Sequence, residues 1–356
     1  MKRLVSLLLA LTLAAGLAGC ASSPEDSSSG FLASSEGQVV AADATTAAPT
    51  APPTTTTTFL TTTRAATTTT SLPPVTTTTK SGTTKKPAPT LPNRWNTADI
   101  QAPAALLYSI TDDRMLFEKG VHDTLYPAST TKLLTALVAL KYCPEDAVLT
   151  VTQEALNLKA WDASSARLKK GMKLTNRMAL EALLLVSGCD AAYVLAENIG
   201  RLIAENEALP TKEAVAIFCV KMNEEAALLG AEQSHFANPD GYHHADHYTT
   251  AYDLLLISLE ALQHPTIREI CAMTTSTRTL TSGQKITWNN NNQLLQEKSL
   301  YYFPGVTGLK SGFTSPAGHC MAASLTKNGK EYVAIVLKSP NSAQRWLDVL
   351  QLLHAV

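Results

Sequence analysis

Residues 126–137 read YPASTTKLLTAL, and this stretch decides the fold because it places a serine and a lysine where a helix begins. Ser129 and Lys132 are separated by one helical turn, so the hydroxyl and the amine lie on the same face. A deprotonated amine there can take the proton from the hydroxyl, which a serine nucleophile needs near neutral pH. The stretch therefore predicts an activated serine at the start of a helix.

The same serine–lysine spacing recurs at Ser324 and Lys327. This second copy leads into Asn328-Gly329, a dipeptide typical of a tight hairpin turn, so it is predicted to lie on a strand. Side chains on a strand alternate between faces, which would separate the hydroxyl from the amine. Only the first copy is expected to bring the two groups together.

Residues 1–20 are predicted to be a lipoprotein signal peptide. Lys2 and Arg3 precede an apolar run at 4–19, which is roughly 16 residues and shorter than the ~20 needed to span a bilayer. The run ends in Leu-Ala-Gly before Cys20, which resembles the bacterial lipobox, in which the cysteine is lipidated. The alternative is an ordinary signal peptide followed by an incidental cysteine.

Residues 21–97 are dominated by Thr, Ser, Pro and Ala and are predicted to be a disordered tether, either glycosylated or a plain spacer. A chain so poor in large apolar residues cannot bury enough surface to offset the entropy of ordering. The formal net charge of −1 argues against nucleic acid as a partner. Residues 98–356 are long enough for one sizeable core and are predicted to form the catalytic domain.

This last segment is predicted to be mixed α/β, an antiparallel β-sheet flanked by helices with a helical subdomain. Asp190 is expected to cap one helix, and Thr250 with Asp253 to form a capping box at another. The expected strands are at 102–110, 115–118, 319–326 and 331–338, and the expected helices begin near 129, 175, 191, 250 and 342.

Two further triplets accompany the serine–lysine pair: 187–189 reads SGC and 310–312 reads KSG. Similar triplets at 339–341 and 80–82 fail on order or on context, since the first follows all the others and the second lies in the tether. The ordered set resembles the penicillin-recognising serine D-alanyl-D-alanine carboxypeptidases, as do the surrounding blocks LYPASTTK, SGCDAA, HYTTAYD and GLKSGFT. The resemblance covers the whole segment after the tether and implies a DD-peptidase/β-lactamase-like fold.

The resemblance implies that Ser129 is the nucleophile, Lys132 its general base and Ser187 the residue that passes a proton to the leaving D-alanine. Lys132 must be deprotonated to serve as a base, so we expect an enclosed cleft that Lys310 also lines, where burial and repulsion disfavour a second charge.

Substrate binding is expected at a second group of residues. By the resemblance, Lys310 and Ser311 bind the terminal carboxylate of the substrate. The backbone N–H groups of Ser129 and Phe313 form the oxyanion hole. The complete expected substrate-binding set is Lys310, Ser311, Gly312, Phe313 and Cys189.

Two positions depart from the family pattern. The family usually has Asn where Cys189 stands, and a thiol cannot replace both amide contacts. Ser311 replaces the usual Thr and keeps the hydroxyl. No cofactor is predicted. His243, His244 and His247 lie close together in sequence, but the family loop carries its histidines without a metal, so no metal site is predicted.

The leading interpretation is an extracytoplasmic, lipid-anchored carboxypeptidase that acts on peptidoglycan stem peptides and takes β-lactams as covalent inhibitors. A β-lactamase is less favoured, because the glutamate that class A enzymes need follows the second triplet, whereas Glu154 precedes it. Cys189 and the long tether leave open a third alternative, a catalytically impaired penicillin-binding or wall-binding protein.

Overall fold

The computed structural model of the protein describes residue 91 and residues 94–356. The predicted signal peptide, almost all of the predicted tether and Cys20 lie outside the described residues. The strands are β1 (Ala104–Ser109), β2 (Arg114–Lys119), β3 (Val148–Thr150), β4 (Lys173–Thr175), β5 (Thr275–Thr279), β6 (Lys285–Asn289), β7 (Val306–Thr314), β8 (Gly318–Lys327) and β9 (Lys330–Ser339). The α-helices are α1 (Lys132–Tyr142), α2 (Gln153–Leu158), α3 (Asn176–Leu185), α4 (Cys189–Ile203), α5 (Thr211–Leu228), α6 (Ala251–Gln263), α7 (Pro265–Ala272) and α8 (Ser342–Leu353).

A five-stranded sheet in the order β2-β1-β9-β8-β7 forms the centre of the fold, and every neighbouring pair in it is antiparallel. Two small hairpin-like pairs, β3 with β4 and β5 with β6, lie apart from it. Strand β7 is the last strand of this sheet and pairs there only with β8. The free edge of β7 faces the helices. This arrangement confirms the predicted mixed α/β fold with an antiparallel sheet.

The two faces of the sheet bury alternate residues of the same strands, as the two-residue period of a strand requires. On β9, Val333 and Ile335 face the larger core, which the helices α1 and α3–α6 share. Ala334 and Val336 face the opposite side and pack with α8 through Trp346. The helices therefore cover both faces of the sheet, with most of them on the side that carries α1.

The predicted hairpin around Asn328-Gly329 is confirmed, since β8 and β9 pair from Lys327 and Lys330 onward. Ser324 and Lys327 consequently lie on a strand, as expected, and not on a helix. The capping box prediction also holds for its first member, because the Thr250 side chain accepts a hydrogen bond from the Asp253 N–H at 3.0 Å.

The predicted role of Asp190 as a helix cap is wrong. Helix α4 begins two residues earlier than predicted, at Cys189, and its N-cap is Gly188. The buried Asp190 carboxylate instead turns back to a preceding loop, where it accepts hydrogen bonds from the N–H groups of Ala166 at 2.8 Å and Leu168 at 3.1 Å. An aspartate in the first turn of a helix still stabilises the positive end of the helix dipole, which explains why the sequence pattern resembled a cap.

Within the described residues, no helix combines the length and the apolar composition that crossing a membrane requires. The five cysteines described there are all buried and free.

Candidate active site

Ser129 and Lys132 meet at the start of α1, as the sequence predicts. Ser129 lies in a 3-10 turn, Ala128–Thr131, that runs directly into α1 at Lys132. Lys132 Nζ lies 2.9 Å from Ser129 Oγ, and the lysine side chain is fully buried. Ala128, just before the serine, has a φ of 49°, a left-handed conformation that costs an alanine about 1–2 kcal/mol and that the surrounding contacts must hold in place.

The Lys132 amine has two further partners. It contacts the backbone carbonyl of Asp240, and its Nζ lies 3.4 Å from Cys189 Sγ. A neutral amine has two N–H donors and one lone pair. An ammonium, with three N–H donors, fits the same three contacts by donating to all of them, whereas a neutral amine fits them by donating to the Asp240 carbonyl and the thiol and accepting the Ser129 proton.

Ser187 lies in the three-residue turn between α3 and α4. Its backbone has a φ of 60°, again left-handed, and it is 7% exposed. Gly188, the next residue, has no room for a side chain: a Cβ there would come within 2.8 Å of the Ala182 carbonyl oxygen. The turn therefore keeps a fixed shape that directs residues 187 and 189 to the same cleft.

Backbone contacts at two glycines hold the first turn of α1 in place. A Cβ on Gly312, in β7, would come within 2.7 Å of the Ser129 nitrogen, and one on Gly241 within 2.0 Å of the Ala128 carbonyl oxygen. Because these contacts are to backbone atoms, which cannot move aside, both positions need glycine. The edge of β7 thus lies directly against the amide of the serine.

The predicted site residues converge on one cleft of about 550 Å³. Ser129, Ser187 and Cys189 line it, as do the three β7 residues Ser311, Gly312 and Phe313. Lys132 and Lys310 lie beneath its surface, at 0% and 2% exposure. Of the predicted site, only the lipidation residue Cys20 falls outside the described residues.

Two buried lysines close together make the electrostatics of the cleft unusual. Burial, and then the charge of Lys132, lower the pKa of Lys310 to about 7. Lys310 Nζ donates to its neighbour's carbonyl, Ser311 O, at 2.7 Å. Near neutral pH the pocket therefore holds fewer protons than two ordinary lysines would, which favours a neutral amine within it.

The histidine loop braces the start of α1. The Ala237 N–H donates to His247 Nδ1 at 3.1 Å, so the proton on the ring belongs to Nε2, which lies 2.7 Å from Thr131 Oγ1. Burial lowers the pKa of His247 to about 3, so the ring is neutral at physiological pH. His243 packs edge-on against Tyr126 at 4.7 Å between ring centroids. These rings hold the helix start in position.

Sequence reasoning missed three features of the cleft. Arg345 of α8 donates to the Gly312 carbonyl at 3.1 Å and brings a further cation to the cleft. Asp240 supplies the carbonyl that holds Lys132. Tyr242 donates to Asp162 at 2.9 Å, joining two loops at the rim. Each contact joins residues far apart in sequence, and no local pattern marks them.

Replacing Lys310 by methionine should change how stability depends on pH. The lowered pKa means that, between pH about 7 and the ordinary value of 10.5, the unfolded chain binds more protons than the folded protein. The stability of the native protein should therefore rise with pH in this window, by about 2 kcal/mol between pH 7 and pH 9 relative to Lys310→Met.

Denaturant unfolding at several pH values measures this difference, with the exposed Lys298→Met as the matched control. Parallel pH profiles for the native protein and Lys310→Met would contradict the assignment.

Comparison with known proteins agrees with this geometry. A family model described as D-alanyl-D-alanine carboxypeptidase, peptidase S11, matches residues 89–341. A D-alanyl-D-alanine carboxypeptidase of Streptomyces sp. (strain K15) is 33% identical over 248 residues, 67% of this chain and 81% of the relative. D-alanyl-D-alanine carboxypeptidase DacF of Bacillus subtilis is 28% identical, and the match covers 71% of this chain but only 61% of that relative.

Solved structures show the same likeness. The crystal structure of the Streptomyces K15 DD-transpeptidase has a TM-score of 0.65 and 30% identity, covering 72% of this chain and 96% of the other. Penicillin-binding protein D2 of Listeria monocytogenes, in an ampicillin-bound form, has a TM-score of 0.58 and 27% identity, covering 74% and 98%. With its ordered motifs gathered in one cleft, the chain belongs to the peptidase S11 family of D-alanyl-D-alanine carboxypeptidases.

Proposed function

We propose that this protein is a serine-type D-alanyl-D-alanine carboxypeptidase that removes the terminal D-alanine from peptidoglycan stem peptides. The observation that carries the proposal is the 2.9 Å contact between Lys132 Nζ and Ser129 Oγ in a cleft that a second buried lysine adjoins. The nucleophile and the base are within hydrogen-bond reach, and burial disfavours protonation of both lysines at once. Such a pair can form an acyl-enzyme.

In the first step, neutral Lys132 takes the proton from Ser129 Oγ as the oxygen attacks the carbonyl of the scissile peptide. Negative charge then develops on the carbonyl oxygen. The N–H groups of Ser129 and Phe313 are the proposed donors to it, each worth about 3 kcal/mol in the transition state. The close approach of Gly312 to the Ser129 nitrogen supports this, because it brings the two N–H groups to one side of the cleft.

Collapse of the intermediate releases D-alanine and leaves the acyl group on Ser129. The leaving nitrogen needs a proton, which we assign to Ser187 as the relay from the amine of Lys132. Water then attacks the ester with Lys132 as the base, and the shortened stem leaves with a new carboxylate.

Three polar groups suit the terminal carboxylate of the substrate. Lys310 and Ser311 of β7 are two of them. Arg345 is the third: its Nε is buried and has no hydrogen-bond partner in the described part of the chain. An anion at this position would restore the positive charge that burial disfavours on Lys310, so binding and protonation support each other.

Transfer to an amine is a second candidate reaction of the same acyl-enzyme. The observation in its favour is that solved relatives are described as a DD-transpeptidase. An amine acceptor would attack the ester on Ser129 in place of water and form a new amide bond. D-alanine is released in both reactions, so the fate of the acyl group separates them.

The remaining alternatives differ in chemistry. A non-catalytic wall-binding protein is suggested by the thiol of Cys189 in place of an amide, whereas the assembled Ser129–Lys132 pair favours catalysis. For a β-lactamase, Glu154 lies in α2, outside the set of described residues that line the cleft, which supports the carboxypeptidase instead.

We further propose that the chain is anchored by lipid on Cys20 and acts outside the cytoplasm. Support comes from the basic start, the apolar run and the Leu-Ala-Gly-Cys sequence at 17–20. Several acyl chains would anchor the protein durably. Residues 21–97 as a spacer could reach on the order of 200 Å if extended at ~3.1 Å per residue, which would let the catalytic domain work away from the membrane.

Ser129→Ala should abolish both covalent labelling by a fluorescent penicillin and release of D-alanine from an L-Lys-D-Ala-D-Ala peptide. The variant is expected to keep the fold and to lose only the acyl acceptor. Its unfolding midpoint, compared with that of the native protein, checks that it is folded. Ser324→Ala, in the copy of the motif on β8, is the matched control and should keep both activities. Labelling without D-alanine release would support the wall-binding alternative, and adding glycine as acceptor measures transfer.

Cys189→Asn should acylate as fast as the native protein or faster, because an amide offers Lys132 both a donor and an acceptor. The rate of penicillin labelling measures this, with the buried Cys143→Ser as control. Complete loss of labelling in Cys189→Asn alone would show that the thiol takes part in the reaction.

Cys20→Ser should move the protein from the membrane fraction to the soluble fraction when the full chain is expressed in a bacterium. Mass spectrometry of the N-terminal fragment should find a lipid-modified Cys20 in the native protein. An unmodified Cys20 would contradict the anchor and favour an ordinary signal peptide.

A further inference from the structure

A turn outside the cleft concentrates positive charge. Residues 167–173 read RLKKGMK, and the four cations in this stretch are all exposed. None of the four forms an ion pair within the part of the chain that the structure describes. The formal net charge of the whole chain is −1, so this excess of cations is local. The four residues are called the basic turn: Arg167, Lys169, Lys170 and Lys173.

The backbone of the basic turn is held in one shape. The Met172 N–H donates to the Lys169 carbonyl at 3.0 Å, which closes the turn. The Gly171 N–H donates to the Val151 carbonyl at 2.8 Å, and the Val151 N–H donates to the Met172 carbonyl at 2.9 Å. Leu168, between two of the cations, is buried in the larger core. The cations therefore extend from a fixed backbone, so that a bound partner has less chain to order.

The conformation of Arg167 does not explain why an arginine stands there. Its φ of 62° is left-handed, which glycine or asparagine adopts at lower cost. Ser165 Oγ holds this conformation by accepting a hydrogen bond from the Arg167 N–H at 3.0 Å. The guanidinium itself is exposed. Its planar set of donors matches the oxygens of a phosphate group, so anion binding accounts for the side chain where the backbone does not.

The tip of the basic turn is ionic. Lys169, Lys170 and Gly171 are exposed there, and a Cβ on Gly171 would meet nothing within 4 Å, so the tip projects into solvent. Met172 is the apolar residue of the tip, and its sulfur lies 3.3 Å from the Lys169 nitrogen, folded back onto the turn. Surfaces that insert into a bilayer present apolar side chains to it. The basic turn instead suits a hydrated polyanion.

The basic turn continues the loop that forms one side of the cleft. Ser164 lines the cleft, and Arg167 follows three residues later, within about 10 Å along the chain. Between them and beyond, the Asp190 carboxylate accepts hydrogen bonds from the N–H groups of Ala166 and Leu168, which joins this segment to α4. A polymer bound at the basic turn would therefore lie beside the cleft without filling it.

We propose that the basic turn binds an anionic polymer of phosphodiester repeats at the cell surface. This rests on the extracytoplasmic location proposed above and not on the cleavage reaction. Four cations within seven residues can meet successive phosphates of such a polymer through charge-assisted hydrogen bonds. Binding there raises the local concentration of the catalytic domain near that polymer and leaves the cleft open to substrate.

The probe is end-labelled poly(glycerol phosphate), and fluorescence anisotropy measures its binding to the full chain in detergent. The double variant Lys169→Gln/Lys170→Gln should raise the Kd at least about fivefold, because it removes two exposed charges that would pair with phosphates. Raising the ionic strength should weaken binding by the native protein, since salt screens exposed charges. Labelled dextran, which carries no charge, should not bind.

The matched control is Lys212→Gln/Lys298→Gln, which removes two exposed charges outside the basic turn and should keep the native Kd. Unfolding midpoints check that both double variants are folded. An equal loss of affinity in the two double variants would show attraction to net charge alone and would overturn the proposal. Absence of polymer binding by the native protein would overturn it as well.

Vesicles distinguish a polymer site from a membrane contact. Binding to vesicles with and without phosphatidylglycerol is compared for the native protein and Lys169→Gln/Lys170→Gln, in which any lipid anchor is the same. A preference for the anionic vesicles that the variant loses, without binding of poly(glycerol phosphate), would assign the basic turn to the membrane and overturn the proposal. Polymer binding without such a preference would support it.

The test is independent of the proposed carboxypeptidase function, because the Kd does not depend on D-alanine release. The four substituted lysines are not among the described residues that line the cleft. All variants should therefore release D-alanine from a soluble L-Lys-D-Ala-D-Ala peptide with the native kcat/KM. If no protein releases D-alanine, the carboxypeptidase function fails while the polymer site is still decided by the Kd values.

Discussion

Burial of two lysine amines in one cleft is the constraint on which the rest of the site depends. Lys132 and Lys310 are both removed from water, and two charges there would each pay for desolvation and repel the other. The protein offsets part of this cost with fixed oxygen partners, the carbonyls of Asp240 and Ser311. The part of the cost that these partners do not offset weakens proton binding at Lys310, whose pKa is lowered. The base proposed for Ser129 is the other amine of this pocket, Lys132.

Such a pocket needs walls that cannot relax, and backbone contacts supply them. The serine turn is held between Gly312 on the strand side and Gly241 on the loop side, both at distances that exclude a side chain. The neutral ring of His247 supports the same turn through Thr131. A glycine contact fixes the distance between two main chains more tightly than a pair of side chains can. The proposed oxyanion donors are both main-chain N–H groups, so the same backbone contacts fix their positions.

The parts of this structure that the sequence predicts are those with a local physical cause. The helix that carries Lys132 follows from a continuous apolar run after a serine–lysine spacing, and the β8–β9 hairpin from Asn328-Gly329 between alternating residues. Asp190 was misread because an aspartate in the first helical turn resembles one just before it. The contacts of Asp240, Arg345 and Asp162 were missed because they join loops and helices distant in sequence, with no period to reveal them.

The thiol at position 189 bears on how the Lys132 amine is positioned. Cys189 Sγ contacts the Lys132 amine at 3.4 Å, the position from which relatives with asparagine would supply an amide. Sulfur is a weak acceptor, so the amine is positioned mainly by the Asp240 carbonyl and by Ser129. A backbone carbonyl is present whatever side chain residue 240 carries. The loop that presents it, closed by the Tyr242–Asp162 contact, therefore bears on the base as well as on the rim. One loop thus carries both the carbonyl that contacts Lys132 and the tyrosine that joins it to Asp162 at the rim of the cleft.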